Sequence, residues 1–212
     1  MLLALIVLVL ICVGFYLWND IHKSMIIGKI GELYVNEQLS KLNKYHYRII
    51  SDLLLPSKVG LDTTQIDHVV ISTYGIFCIE TKTIKGTIFG NAYSKYWKNG
   101  NYPIYSPLKQ NYKHKKSIED LLSLSYPDIP IYSFVILPRV SKINIYKITG
   151  TDLVGSTNDI IEKINSIKKN IISMDDLDII SSIISDANIK DRKIRKSHNR
   201  SVGDIRQRDK NK

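Results

Sequence analysis

Two apolar runs in this chain carry acids where a buried strand should be hydrocarbon. The first is Gln65-Ile66-Asp67-His68-Val69-Val70-Ile71; the second is Gly75-Ile76-Phe77-Cys78-Ile79-Glu80-Thr81-Lys82. Burying a carboxylate on such a strand is costly unless a cation or a function compensates it. Strand alternation puts Cys78, Glu80 and Lys82 on one face, and Asp67, Val69 and Ile71 on one face of the preceding run. If the two runs pair antiparallel, Asp67 comes to the Glu80/Lys82 end, and two carboxylates meet an amine. Close carboxylates resist joint ionisation. A hard divalent cation, Mg²⁺ or Mn²⁺, removes that conflict and keeps several waters. Such an ion polarises a phosphodiester, with Lys82 orienting or deprotonating a water or stabilising phosphate charge. The competing reading is structural: a partly exposed Glu80–Lys82 salt bridge at a strand end, with Asp67 capping a turn.

Other side chains bear on the same site. Glu32 is an acid on the packing stripe of a helix; it either faces the site or pairs with a local lysine. Gln110 and His114 lie one helical turn apart, where Gln110 would contact phosphate or a water. His114 reads as part of a solvated face among Lys109, Lys113, Lys115 and Lys116. His68 falls on the strand face opposite Asp67 and is not counted as a ligand. The series Tyr93, Tyr96, Trp97, Tyr102 and Tyr105, interleaved with Lys95 and Lys98, reads as hairpin packing, with base stacking as the alternative.

The elements that must position these groups follow from periodicity and breakers. Ile26 to Leu42 reads as a helix with Gly28, Gly31, Glu32, Val35, Leu39 and Leu42 on one stripe. Strands are expected at Tyr47 to Leu55, Thr64 to Ser72 and Gly75 to Thr83, the last two joined by a short hairpin turn. Gly86 to Pro107 reads as a strand extension plus a small hairpin at Asn99-Gly100. Pro107 opens a helix through Leu124. Ile131 to Leu137 is a central strand and Ile143 to Thr149 one more. Ser156 to Lys168 and Asp175 to Ala187 read as helices, the second preceded by the capping pattern Ser173-Met174-Asp175-Asp176.

The chain has 212 residues and a net charge of +10. The charge is uneven: Lys190 to Lys212 holds ten Lys/Arg against three Asp. The remainder is only mildly basic, so the overall charge is no argument that the domain itself binds nucleic acid. Hydrophobic residues are sparse in that tail, which is expected to be disordered and to contact anionic lipid or nucleic acid. Met1 to Trp18 contains no charged side chain. As a helix it spans roughly 27 Å, close to a bilayer core, with Tyr16 and Trp18 at its end. No basic residue precedes it and no small-x-small cleavage site follows, so it is expected to be an uncleaved transmembrane anchor. Lys23 and Lys29 place the domain behind it in the cytoplasm. Cys12 and Cys78 form no disulfide framework and are expected to be reduced. No zinc-spaced His/Cys cluster and no Gly-rich phosphate loop is present.

Five ordered pieces resemble the nuclease-related domain (NERD) family, a branch of the PD-(D/E)xK nuclease superfamily. They are Gly28-Lys29-Ile30-Gly31-Glu32; Thr64-Gln65-Ile66-Asp67-His68-Val69-Val70-Ile71; Gly75 to Lys82; Gly86 with Trp97; and Ser106-Pro107-Leu108-Lys109-Gln110-Asn111. The resemblance covers about Ile26 to Leu122. It implies a restriction-endonuclease-like α/β core, a central mixed β-sheet flanked by helices. It further implies Asp67 and Glu80 as metal ligands, Lys82 as the catalytic lysine, Glu32 as the helix acid of the site and Gln110 as a supporting polar residue. The family usually carries Asn where this chain has Ser106, and a Ser can still cap the helix. The expected organisation is an anchor over 1–19, a nuclease-like domain over 20–150, a helical extension over 151–189 and the basic tail over 190–212. The expected activity is Mg²⁺-dependent hydrolysis of DNA at the membrane.

Overall fold

The computed structural model describes residues 2–210, without the side chains of residues 2–5, 8–13, 16–21 and 206–210. Helix α1 runs unbroken from Leu2 to Leu39. The helix expected from Ile26 is therefore the C-terminal part of a longer one. Its stripe is used as predicted, with Val35 and Leu39 fully buried. Most side chains of the Met1 to Trp18 run, Cys12 among them, lie outside the described residues. Among the described residues no helix is long and apolar enough to cross a membrane, so the expected anchor finds no support in the fold.

A five-stranded mixed sheet forms the centre, in the order β1 (Tyr47–Pro56), β2 (Thr63–Ser72), β3 (Gly75–Thr81), β7 (Ile131–Ile136), β9 (Asp152–Gly155). β2 is antiparallel to both β1 and β3, while β7 runs parallel to β3 and to β9. The short turn at Thr73-Tyr74 makes β2–β3 a hairpin, with Ser72 opposite Gly75. Every residue of β3 is buried, as its near-continuous apolar sequence requires of an interior strand. Each fully buried Ile or Phe there contributes about 1.5–3 kcal/mol relative to exposure.

Helices cover both faces. On one face Val70, Phe77 and Ile79 pack against Val35 and Leu39 of α1 and against Ile160 and Ile164 of α3 (Thr157–Ser166). On the other, Val69, Ile71, Ile76 and Cys78 pack against Ile118 and Leu122 of α2 (Pro107–Leu122) and against Leu177, Ile180 and Ile184 of α4 (Met174–Asp186). The starts match the expected caps. Ser106 accepts the N–H of Lys109, Ser156 that of Asp159 and Ser173 that of Asp176.

The Gly86 to Pro107 region departs from a simple extension. β4 (Gly86–Asn91), β5 (Tyr96–Asn99) and β6 (Tyr102–Tyr105) join β8 (Val140–Tyr146) in a second sheet, ordered β6-β5-β4-β8. The Asn99-Gly100 turn links β5 to β6 as expected, with Gly100 at φ 58°. One face of this sheet buries Ile88 and Trp97 against Leu108, Val135 and Leu137. Gly90 is obligatory beneath the indole: a Cβ there would stand 2.4 Å from the Trp97 ring.

The basic tail is a correction. Arg192–Lys210 is helix α5, where composition suggested disorder. Its order comes from polar docking rather than from an apolar stripe. Asp191 accepts the N–H groups of Lys193 and Ile194, capping the first turn. Arg195 clamps the carboxylate of Asp52 at 3.2 Å and its carbonyl at 2.9 Å. His198 Nδ1 meets Thr63 Oγ1 at 2.9 Å, and the N–H of Ile189 donates to Leu54 O.

Candidate metal-dependent nuclease site

The site stands where the central sheet opens. In the β2–β3 register Val69 faces Cys78 and His68 faces Ile79, and pairing ends there; the next rung would join Asp67 to Glu80. The β1–β2 ladder also skips this level, running from Ser51–His68 to Leu53–Ile66. The residue left opposite Asp67 is Asp52, whose φ of 56° takes it out of strand geometry. Asp67 Oδ2 instead accepts the backbone N–H of Thr81 at 2.7 Å. A side chain thus closes the gap between the strands, and Asp67 and Glu80 come to the same face.

Glu80 is 1% exposed and both its oxygens are engaged. Lys82 Nζ is 2.5 Å from Oε1. His114 Nε2 is 3.1 Å from Oε2, while its Nδ1 meets Thr64 Oγ1 at 2.7 Å. Lys82 remains a quarter exposed, so the site opens to solvent at the amine. Burial alone would raise the Glu80 carboxyl, but the Lys82 ammonium and then the His114 hydrogen bond hold it down at about 2. Asp67 goes the other way. Burial first, then the charge of Glu80, push its carboxyl well above the usual range, and Lys82 and the Thr81 N–H offset this only in part. One of the paired acids is thus held ionised and the other driven toward its protonated form, as expected of two close carboxylates sharing too little positive charge.

The predicted residues do not all converge equally. Asp67, Glu80 and Lys82 are brought together. Glu32 pairs with Lys29 at 3.2 Å, the local-lysine alternative, and its charge reaches Asp67 only as a repulsion. Gln110 Nε2 lies 3.4 Å from His114 Nε2, one turn from the site rather than in contact with the acids. His114 is a correction: it is 3% exposed and belongs to the site, not to a solvated lysine face. The Gln110/His114 spacing was the signal for it; four neighbouring lysines obscured it. Asn111 was also missed. Fully buried, it donates to Cys78 O at 2.9 Å and Phe134 O at 3.1 Å, fastening α2 across β3 and β7. Its signal was an amide on the Leu108–Ile118 apolar stripe. His68 stays on the opposite face, as expected, with Nδ1 at 2.9 Å from Ser51 Oγ.

Among the described residues no group of three or more His, Cys, Asp or Glu side chains is placed to hold a metal unaided. Two carboxylates still suit Mg²⁺, which takes one or two acids and fills its octahedron with waters and substrate oxygens. The donor set is what fits an ion here: the half-buried Asp67 carboxyl and the buried Glu80 carboxyl lie on one face, beside a single partly exposed ammonium.

A mixed sheet covered by helices on both faces, with an Asp and a Glu-x-Lys at the open end of two interior strands, defines a nuclease-like α/β domain. The family model of the nuclease-related domain (NERD) matches residues 27–138, more than half of the chain, and the chain belongs to that family, within the PD-(D/E)xK-like nuclease superfamily. An uncharacterised protein of Bacillus anthracis is 34% identical over 175 residues, which cover 81% of each chain. No solved structure matches the chain.

Proposed function

We propose that this protein is a metal-dependent phosphodiester hydrolase acting on DNA, tethered at the cytoplasmic side of a membrane by its N-terminal apolar run. The observation that carries the reading is the meeting of Asp67 and Glu80 on one face just beyond the last β2–β3 rung, where the Asp67 side chain takes the Thr81 N–H. Asp67 and Glu80 would hold Mg²⁺ or Mn²⁺, and the ion would supply Lewis-acid polarisation of the scissile phosphodiester. Lys82, partly exposed beside Glu80, orients the attacking water and meets the developing phosphate charge. His114 fixes the second Glu80 oxygen, and Asn111 fixes the helix that carries His114. Gln110 supports from the next turn, and Glu32 adds negative charge at the rim.

One observation favours a non-catalytic module of the same fold that binds nucleic acid or a partner: both Glu80 oxygens are already satisfied by Lys82 and His114. A cleavage assay separates the two. The detergent-solubilised full chain is incubated with single- and double-stranded DNA and RNA, with and without Mg²⁺, beside Asp67→Ala and Lys82→Ala. Metal-dependent cleavage lost in both variants supports the enzyme. Salt-sensitive binding with no cleavage in any metal supports the module.

A further inference from the structure

We propose that the outward face of the second sheet is a stacking platform for the bases of single-stranded nucleic acid, leading the strand to the Asp67–Glu80 site. The inference rests on the nuclease reading and names its substrate class.

Register builds the face. Phe89 pairs with Lys98 on one side and Asn144 on the other, and Lys98 pairs with Pro103. The neighbouring rungs join Asn91 to Tyr146 and Tyr96 to Tyr105. The alternate residues Ile88, Trp97, Ile104 and Ile143 turn inward to the core. Phe89 is 44% exposed, Tyr96 37% and Tyr146 65%. Single exposed aromatics are unremarkable, but several on one sheet face make a surface that wants a partner.

Charge says which partner. None of the four strands contains an Asp or Glu, and between Glu80 and Glu119 the chain carries eight lysines and no acid. Cations already lie over the rings: Lys95 Nζ is 5.0 Å from the Tyr96 centroid and Lys113 Nζ 5.7 Å from that of Tyr105. π-faces interleaved with lysines match unpaired bases on a phosphate chain. A duplex keeps its base faces stacked inside and offers such rings little. One link to the site is through α2: Lys113, whose Nζ lies over Tyr105, is the chain neighbour of His114, which holds Glu80.

The test is binding without metal. The detergent-solubilised full chain is titrated in EDTA against a labelled oligothymidylate and a duplex of equal length, by fluorescence anisotropy. Phe89→Ala and Tyr146→Ala each weaken oligothymidylate binding about tenfold and leave duplex binding unchanged. Phe89→Trp keeps the affinity and Phe89→Leu does not, because a ring and not mere apolar area is needed. The salt slope is unchanged in the aromatic variants and falls by about 0.7 in Lys98→Ala. Equal losses on both nucleic acids overturn the proposal. So do no loss in either aromatic variant, no binding of oligothymidylate by the parent chain, or a loss confined to binding of phosphatidylserine vesicles. Aromatic-dependent binding without cleavage defeats the nuclease reading alone; cleavage indifferent to these rings defeats the platform alone.

Discussion

The carboxylate of Asp67 accepts the backbone N–H of Thr81 at 2.7 Å, at the level where the β2–β3 ladder stops. This contact orients one candidate ligand with the backbone of the strand that carries the other. It also separates two effects of mutation. Asp67→Ala removes a charge and strands a buried N–H, whereas Asp67→Asn removes the charge and keeps an acceptor.

Asp67→Asn is therefore expected to fold and, without metal, to be at least as stable as the parent. The folded-state carboxyl of Asp67 is raised, so its contribution is fully present below the ordinary Asp range and is lost as pH rises through the folded value. The variant should gain on the parent as pH increases above the ordinary Asp range. Mg²⁺ should raise the melting temperature of the parent by mass action and leave the variant unmoved. Melting curves in EDTA and in Mg²⁺ at two pH values check both statements.

Glu80 behaves oppositely. Its folded-state value of about 2 lies below the ordinary 4.5, so it supplies stability above pH 4.5 that disappears as pH falls toward 2. Lys82→Ala removes the strongest lowering influence. Acid unfolding followed by circular dichroism should then move to higher pH, while the fold at neutral pH persists with a loss of about 1–3 kcal/mol. An acid midpoint unchanged from the parent would show that the Lys82–Glu80 pair does not control this carboxylate.

His68 supplies a pH dependence from the other face. It is 2% exposed, and burial, with Lys29 adding, lowers its ring to about 4. The unfolded chain binds the extra proton between there and 6.5, so this contribution is complete above pH 6.5 and is lost as pH falls. The slope is up to about 1.4 kcal/mol per pH unit. Denaturant unfolding of His68→Gln should be flatter than the parent between pH 4 and 6.5.

Gly31→Ala tests how α1 is seated. The added Cβ would stand 1.9 Å from Thr83 Oγ1, so the helix or the strand end must shift. Overpacking of this kind costs about 1–3 kcal/mol. Combining it with Thr83→Ala should recover part of that loss, seen as a coupling between the two substitutions in a double-mutant cycle. Simple additivity would mean that the helix does not rest on Thr83.

Much of this arrangement was legible in the residues. The Thr73-Tyr74-Gly75 turn fixes antiparallel pairing of the flanking runs, and period two then brings Asp67 to Glu80 and leaves His68 behind the sheet. Ser106-Pro107 and Ser173 announce helix starts through local hydrogen bonding that needs no tertiary context. Asn99-Gly100 likewise encodes its own turn. The four lysines around His114 misled because helical periodicity reports which residues share a stripe, not which stripe a sheet will cover. α5 was illegible for a related reason: Arg195 and His198 dock on Asp52 and Thr63, far earlier in the sequence, and polar docking leaves no periodic apolar signal.

What the sequence determined by itself was local: strand and helix identity, turn chemistry, and two acids and an amine at a spacing that antiparallel strands bring together. Only the tertiary structure decided that β4 leaves the central sheet to pair with β8, that His114 and Asn111 close over β3, and that the ladder opens at Asp67. It also decided that Asp67 and Glu80, alike in type, are driven in opposite directions. Short-range preferences act within a few residues and can be read along the chain, whereas desolvation and charge coupling depend on which distant groups pack around each side chain.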